Sequence, residues 1–299
     1  MKVALIHNVE AGGGNDGPES LVAAIERGGH VVTVCTSKLE DALADAASLD
    51  LIAISGGDGT LGHACRAMIG RNVPIAVLPS GTANNIATSL GLVDLDPDAL
   101  IAGWQEGRIE PFDVVDAKGP FGTRHLLEGF GTGLFAWTMR TAEDSPMLTD
   151  GPVEARLPHA LSMMIERLPA HTTTRVDATL DGVDVSGDYL MFEFMNTSFI
   201  GPNLYLAPGA SSADGMLELV TVTADERDVL CDHLIRWRRG ALASDRIAAR
   251  QGRRLDVRCV APLHLDDEYW EPVADAVDDN ATAMSVRPGA LRFLVPARG

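Results

Sequence analysis

The segment SGGDGT (residues 55–60) constrains the fold more than any other, because it places three glycines and an aspartate directly behind a run of small apolar residues. Glycine costs conformational entropy, so several in one short loop indicate a backbone that must bend sharply or approach another group closely. Two further loops have the same character, HNVEAGGGNDG after the apolar run at 3–8 and PSGTANN after the run at 73–79.

The first third of the sequence alternates strand-like and helix-like segments. The strand-like runs lie at 3–8, 30–35, 49–55 and 73–79, and the helix-like segments lie at 18–29, 39–48 and 60–70. Continuous apolar strands that alternate with helices are typical of a parallel sheet covered on both faces. Because ligands bind at the carboxyl ends of such strands, we expect the three glycine loops to meet at one edge of the sheet.

Glycine loops at the ends of parallel strands predict a binding site for a mononucleotide. Their backbone N–H groups can approach phosphate oxygens closely, and helix N-termini add partial positive charge. The formal net charge of −18 argues against nucleic-acid binding, since phosphate backbones are normally met by a surplus of Lys and Arg. An anionic ligand must therefore be held by local features such as N–H groups or a metal ion.

The pattern changes near residue 110. Alternating segments, such as residues 172–198, indicate antiparallel strands, and Asp181-Gly182 marks a hairpin turn. Helical stretches interrupt them at about 157–168 and 225–250. We predict a two-domain α/β plus β fold, with a Rossmann-like parallel α/β domain over 1–112 and a mainly antiparallel β domain over 113–286.

Four motifs in order resemble the diacylglycerol kinase catalytic-domain superfamily, which includes soluble bacterial lipid kinases and the sphingosine and ceramide kinases. They are SGGDGTLGHA with IAVLPSGTANNIATSLGL, LYLAPGASSADGMLELVTV, LHLDDEYW, and VRPGALRFLVP. The third is similar to the family's late Asp-Gly-Glu motif, and the last to a final strand that returns to the first domain. The resemblance spans essentially the whole chain and implies a C-terminal β-sandwich, with residues 287–299 returning.

In this family ATP lies between the domains, with its phosphates over the Gly-Gly-Asp-Gly-Thr loop, so the resemblance implies ATP and Mg²⁺ as cofactors. The implied nucleotide contacts are Asn8, Gly12, Thr36, Gly56, Gly57, Asp58, Gly59, Thr60, Thr82 and Asn84. Asp58 can position a magnesium ion through water, because a hard carboxylate suits a hard cation. Asp214 resembles the ligand of a second, structural magnesium completed by the carbonyls of Ser211 and Met216; a plain Asp-Gly turn is the alternative reading.

The candidate base for phosphoryl transfer is Asp266, by its match to the late motif. Glu268 lies two residues on, so both carboxylates point to one face if this segment is a strand. Asp58 is the competing candidate for the base. An acidic surface loop is the alternative to a catalytic role, since Asp and Glu are usually solvated.

The sequence also departs from the family pattern around the site. Val9 follows Asn8 where proline is usual, and Gly62-His63 replaces Asn-Glu after the glycine loop. Asn85 and Thr88 stand where aspartate and arginine are common. Asp267 replaces the glycine of the late motif, in a position where aspartate tolerates left-handed backbone geometry better than most residues. These changes leave open an altered substrate, slow turnover, or an ATP-binding protein without transfer.

Two segments outside the motifs have two readings each. Residues 236–254 contain seven arginines, which either dock on anionic lipid headgroups or form a solvated helix. Residues 157–169 either line an acyl-chain pocket or pack Leu161, Met164 and Leu168 on the core. The chain shows no leader-like segment or membrane-length apolar run, so we expect a cytoplasmic protein, peripheral to the inner membrane face, and a homodimer is left open.

The sequence therefore predicts an ATP-dependent lipid kinase that phosphorylates the hydroxyl of a diacylglycerol-like lipid. One alternative is an ATP-binding member of the family with lost or altered kinase activity. The other is an NAD kinase-like phosphotransferase, which shares the Gly-Gly-Asp-Gly-Thr loop but differs in the second glycine loop.

Overall fold

The computed structural model describes residues 1–8, 17–35, 48–142, 144–241, 247–272 and 280–297. The chain forms two compact units. The first unit comprises Met1–Phe112 together with Pro288–Gly299, and the second comprises Asp113–Arg287.

The first unit is built on a parallel sheet, as the sequence predicts. Its strands are β1 Lys2–His7, β2 Val31–Cys35, β3 Leu51–Gly56 and β4 Ile75–Pro79. The sheet order is β2-β1-β3-β4, and each neighbouring pair is parallel. The last strand of the chain, β18 (Ala281–Val295), joins this sheet beside β4, where Phe293 lies opposite Ile75 in parallel register. The implied return of the last strand is confirmed.

Helices connect these strands. They are α1 Pro18–Arg27, α2 Asp58–Met68, α3 Asn85–Ser89 and α4 Pro97–Ala102. Pro18 begins α1 at a position where its missing N–H has no cost, and the chain leaves the helix through Gly29, whose φ of +77° favours glycine. All of β3 is buried, which explains its continuous apolar sequence. The predicted helix at 39–48 lies almost wholly outside the described residues.

The second unit is mainly antiparallel, again as predicted. Its strands are β5 Arg108–Gly119 (which begins in the first unit), β6 Gly122–Leu126, β7 Gly129–Gly133, β8 Thr174–Leu180, β9 Val183–Asp184, β10 Gly187–Met195, β11 Phe199–Ile200, β12 Leu204–Tyr205, β13 Leu217–Thr223, β14 Ala249–Gly252, β15 Arg254–Arg258, β16 Leu263–Leu265, β17 Glu268–Trp270 and the first half of β18. Asp181 and Gly182 form the two-residue turn between β8 and β9, with φ of +48° and +81°, which confirms the predicted hairpin.

Alternate side chains of β10 enter two separate cores of this unit. Phe192 and Phe194 belong to a cluster formed with residues of β8, β15 and β18. Met191 and Met195 belong to a second cluster, formed with side chains from the helices. Successive side chains of a strand point to opposite faces of the sheet. One face of β10 therefore packs inside the sandwich, and the other packs against the helices.

Three of the longer helices of the second unit contribute side chains to the second cluster. The described helices of this unit are α5 Leu134–Ala142, α6 Pro146–Thr149, α7 Val153–Arg167 and α8 Arg227–Arg238, with 3₁₀ turns at Leu168–Ala170 and Ala224–Glu226. Leu161, Met164 and Leu168 are buried in the second cluster, so the packing alternative for residues 157–169 is the observed one. Among the described helices, none combines the length and apolar character needed to cross a membrane.

The predicted helix at 225–250 is wrong for the described residues 239–241 and 247–250, because the helix ends at Arg238. The chain leaves α8 through Gly240, whose φ is +70° and whose N–H donates to the carbonyl oxygen of Trp237 at 2.9 Å. Residues 249–252 form strand β14 instead. The described arginines of the basic segment are therefore divided between α8, the turn that follows it, and β14–β15, and they do not share one helix face.

His171, directly after the turn Leu168–Ala170, is a buried histidine with a perturbed pKa. Burial first, and then the charges of Arg167 and Arg227, lower its pKa from 6.5 to about 4. The unfolded chain therefore binds the extra proton between these two values, and the stabilisation present above pH 6.5 is lost as the pH falls towards 4. We expect this residue to lower the free energy of unfolding by up to about 3 kcal/mol over that range.

Urea denaturation at a series of pH values tests this expectation. The curve of unfolding free energy against pH should be flatter for His171→Leu than for the wild type on the acid side. Equal slopes for the two proteins between pH 6.5 and 4 would contradict the assignment.

Candidate active site

The glycine loops that follow β3 and β4 lie against each other in the first unit. A Cβ added to Gly57 would lie 2.9 Å from the Cα of Gly81, and one added to Gly81 would overlap the backbone of Gly57. The N–H of Ser80 also donates to the carbonyl oxygen of Gly56 at 3.1 Å. The close approach of two backbones is thus the structural reason for glycine in both loops.

Asp58 fixes the two loops to each other. It is the first residue of α2, and its Oδ2 and Oδ1 accept the N–H groups of Asn85 (3.0 Å) and Ile86 (3.2 Å), the first two residues of α3. A carboxylate is favoured there because the N–H end of a helix carries partial positive charge. Asp58 and the loop that contains Thr82 therefore lie on the same rim of the sheet.

Asn84 shapes the second glycine loop. Its φ is +54°, and its side chain closes the loop by accepting the N–H of Gly81 at 3.0 Å and donating to the carbonyl oxygen of Gly81 at 2.8 Å. Thr82 lies half-buried within the bend so formed. Asn84 therefore has a structural task in the loop in addition to the nucleotide contact that the resemblance implies.

The end of β1 reaches the same rim. The N–H of Asn8 donates to the carbonyl oxygen of Ser55 at 3.0 Å, and its Nδ2 donates to Oγ1 of Thr60 at 2.8 Å. This bond links the loop after β1 to the first turn of α2. Two implied nucleotide contacts, Gly12 and Thr36, lie outside the described residues.

The rim has the chemistry of an anion site. The implied nucleotide residues gathered on it are Asn8, Gly56, Gly57, Asp58, Gly59, Thr60, Thr82 and Asn84. The 11-residue helix α2 starts at this loop with no side-chain cap from Gly57, and the first N–H groups of a helix have no partner within it. Such a helix end, with glycines that leave the backbone open, can bind phosphate oxygens.

Asp266 lies in the two-residue turn between β16 and β17 of the second unit and is 7% exposed. Its Oδ1 accepts the N–H groups of Glu128 (2.9 Å) and Gly129 (3.1 Å), and its Oδ2 accepts the N–H of Leu127 (2.9 Å). Its own N–H donates to the carbonyl oxygen of Gly129 at 2.9 Å. The carboxylate therefore holds the backbone that leads into β7, which sequence reasoning did not foresee.

The condition for a shared face in the late motif is not met, and its left-handed residue differs from the expected one. Asp266 and Glu268 do not share a strand face, because Asp266 lies in the turn and Glu268 is the first residue of β17, exposed and 3.6 Å from Arg124. The left-handed backbone of the turn lies at Asp266, with φ of +51°, and not at Asp267. The chain has Asp267 where the family has glycine, and the positive φ lies at Asp266 instead. The carboxylate of Asp266 is held by three backbone N–H groups.

The segment with the implied metal ligands is an Asp-Gly turn. Asp214 is exposed, and its Oδ1 accepts the N–H of Met216 at 2.9 Å. The buried Asp113 holds the same turn, since its Oδ2 accepts the N–H of Gly215 at 2.7 Å and its N–H donates to the carbonyl oxygen of Ser212 at 2.6 Å. Sequence reasoning missed Asp113, although a lone carboxylate inside the apolar run FDVV was a signal. Among the described residues no cluster of three or more His, Cys, Asp or Glu could hold a metal ion.

A second buried pair was also missed. Nε2 of His264 lies 2.5 Å from Oε2 of Glu193, and both side chains are 0% exposed. Burial raises the pKa of Glu193, while the neighbouring His264 acts in the opposite direction. His264 stands two residues before Asp266, in β16.

Comparison with known proteins supports the fold and the motifs. The family model for the diacylglycerol kinase catalytic domain matches residues 2–117, and the model for the YegS C-terminal NAD kinase beta sandwich-like domain matches residues 153–295. The structure is thus that of a two-domain protein, with an α/β domain that carries the glycine loops and a β-sandwich domain. The first unit resembles the diacylglycerol kinase catalytic domain, and the second resembles the C-terminal domain of the YegS type.

Curated relatives extend over most of the chain. A diacylglycerol kinase of Mycobacterium tuberculosis is 26% identical over 289 residues, covering 91% of this chain and 87% of that protein. A Pseudomonas aeruginosa protein named "Probable lipid kinase YegS-like" is 27% identical over 312 residues, covering 99% and 95%. A crystal structure of a diacylglycerol kinase from Bacillus anthracis superposes with a TM-score of 0.72 at 18% identity, covering 98% of this chain and 96% of the other, a likeness that bears on the fold.

Proposed function

We propose that this protein is an ATP- and Mg²⁺-dependent lipid kinase that transfers the γ-phosphoryl group to the hydroxyl of a diacylglycerol-like lipid. The observation that carries the proposal is the contact between the two glycine loops in the first unit, with the Asp58 carboxylate bonded to the backbone of the second loop. The names of the relatives, diacylglycerol kinase and lipid kinase, support the same class of reaction.

The first unit would bind the nucleotide. Phosphoryl transfer depends on positioning and on neutralising the charge of the phosphates. In the proposal the N–H groups at the start of α2 and the hydroxyls of Thr60 and Thr82 hold the phosphates. Asp58 would hold Mg²⁺ through a water, and the ion would neutralise phosphate charge. The oxygen donors of this rim fit a hard cation.

The second unit would supply the base. Asp266 would accept the hydroxyl proton of the lipid, and the three N–H groups bonded to its carboxylate would keep it in one orientation. The segment of Ser211, Asp214 and Met216 offers one carboxylate and two carbonyl oxygens, a donor set that fits a second, structural Mg²⁺.

Two of the departures from the family pattern have local explanations. Thr88 donates its hydroxyl to the carbonyl oxygen of Asn84 at 2.7 Å, so it helps to support the second glycine loop. His63 is exposed on α2. These residues therefore leave the two glycine loops in contact, and the labelling experiment below separates a kinase from an ATP-binding protein without transfer.

Incubation with labelled ATP and Mg²⁺ tests the function directly. The acceptors are diacylglycerol, sphingosine and NAD in mixed micelles, each with and without an anionic phospholipid. We expect label in diacylglycerol, and more of it on the anionic surface if the exposed arginines dock there. Label in NAD would replace the proposal with an NAD kinase-like activity. No label despite measurable ATP binding would favour a binding protein.

Asp58→Ala is expected to abolish measurable transfer, because it removes the carboxylate assigned to Mg²⁺. It also removes a helix cap, which should lower the free energy of unfolding by about 1 kcal/mol. Asp96→Ala is the matched control, since Asp96 caps α4 of the same unit by accepting the N–H of Ala99 at 2.8 Å. Equal turnover in the two variants, measured beside urea unfolding curves, would remove Asp58 from the mechanism.

A further inference from the structure

Glu193, Gly131 and His264 form one row across three neighbouring strands of the second unit. Gly131 of β7 lies opposite Glu193 of β10 on one side and opposite His264 of β16 on the other. The two outer side chains meet above the bare backbone of Gly131, where a Cβ would overlap the Glu193 carboxylate and lie 2.6 Å from Nε2 of His264. The absence of a side chain at Gly131 therefore makes the contact possible.

Stability alone does not explain this pair. It lies on the face of β10 that also carries Met191 and Met195, and the ring of Phe135 packs edge-on against His264 at 4.6 Å. Among the described residues, neither Oε1 of Glu193 nor Nδ1 of His264 has a hydrogen-bond partner. Apolar side chains of similar volume are often as stable as a buried ionic pair, or more so. A buried polar pair of this kind can, however, specify a single strand register.

The strand that the pair holds is the one that leads to Asp266. β16 has three residues, and Asp266 follows directly. The Asp266 carboxylate is bonded to the backbone at the start of β7, and His264 is bonded across the middle of β7 to Glu193. We propose that Glu193 and His264 are positioning residues, which fix β16 on β7 so that the following turn presents the Asp266 carboxylate in one orientation. This inference rests on the proposed function, in which Asp266 accepts the lipid proton.

The test compares four full-length proteins with the wild type. Glu193→Leu/His264→Leu replaces the pair with apolar side chains, and Glu193→Gln keeps an oxygen that can accept from His264. His264→Leu tests one partner alone. His171→Leu is the matched control, since it removes another buried histidine of the same unit. We expect the double leucine variant to remain folded with at least tenfold lower kcat and an unchanged KM for ATP, Glu193→Gln to keep at least half of the turnover, and the control to keep all of it.

Amide hydrogen exchange provides a readout that does not depend on activity. In the double leucine variant, exchange at residues 127–131 and 263–268 should accelerate at least tenfold, while the rest of the second unit exchanges at the wild-type rate. Unchanged kcat, or unchanged exchange in these segments, would overturn the positioning role. If the wild type transfers no phosphate to lipid, the proposed function fails, and the exchange data alone decide whether the pair holds the turn.

Discussion

Asp266→Asn is expected to lower kcat about 10²- to 10⁴-fold, the usual contribution of a positioned general base, while the affinity for ATP stays within twofold of the wild type. The substitution replaces one carboxylate oxygen by an NH₂ group. That group cannot accept a proton, and it directs hydrogens at the backbone N–H groups that the carboxylate now binds. A loss of unfolding free energy of about 1–3 kcal/mol is therefore expected as well.

The chain offers a matched control for this structural effect. Asp181 also begins a two-residue turn with a positive φ, +48°. Its Oδ2 and Oδ1 accept the N–H groups of Arg253 (3.0 Å) and Arg254 (2.9 Å), and its own N–H donates to the carbonyl oxygen of Arg254 at 2.8 Å. Asp181→Asn should therefore weaken a turn in the same way without touching turnover.

Kinetics and denaturation of both variants separate the two roles of Asp266. If Asp266→Asn retains turnover when it is measured below its melting temperature, the base is another group and Asp266 is a structural carboxylate like Asp181. If both variants lose turnover equally, the loss reports on folding of the second unit and not on proton transfer.

Gly131→Ala is expected to have the largest effect on stability. The added methyl group would overlap the Glu193 carboxylate, and neither Glu193 nor His264 can move to solvent, because both are 0% exposed. Overpacking and the broken buried pair together should lower the free energy of unfolding by about 3–5 kcal/mol. Urea or thermal unfolding of the purified variant measures this loss.

Two further variants make the explanation specific. Glu193→Ala in the Gly131→Ala background removes the overlapping carboxylate and should recover part of the lost stability. Gly209→Ala is the control for the glycine itself, since its added Cβ would meet only Oε1 of Glu218 at an ordinary 3.5 Å. A Gly131→Ala protein no less stable than Gly209→Ala would show that the pair can rearrange.

Local patterns predicted the elements of this protein well wherever neighbours along the chain decide the conformation. Fully apolar runs marked the parallel strands, and Asp181-Gly182 marked a hairpin because both residues of that turn need positive φ. The helix prediction failed after Arg238 because it passed over Gly240 as a helix C-terminus. Gly240 has a left-handed φ, and its N–H donates to the carbonyl oxygen of Trp237. The positive φ of the late motif lies at Asp266, whose carboxylate accepts backbone N–H groups of residues 127–129, and those partners are far away in the sequence.

The sequence by itself determined that glycine loops follow three of the parallel strands, and parallel strands place such loops on one rim. Only the tertiary structure decided which groups meet. The Asp58 carboxylate reaches an amide 27 residues away, Asp266 is bonded to a backbone N–H 137 residues away, and His264 meets a glutamate 71 residues away. Periodicity and turn preferences act over a few residues, whereas these contacts depend on which strands pair and in which register, and that is settled by packing of the whole unit.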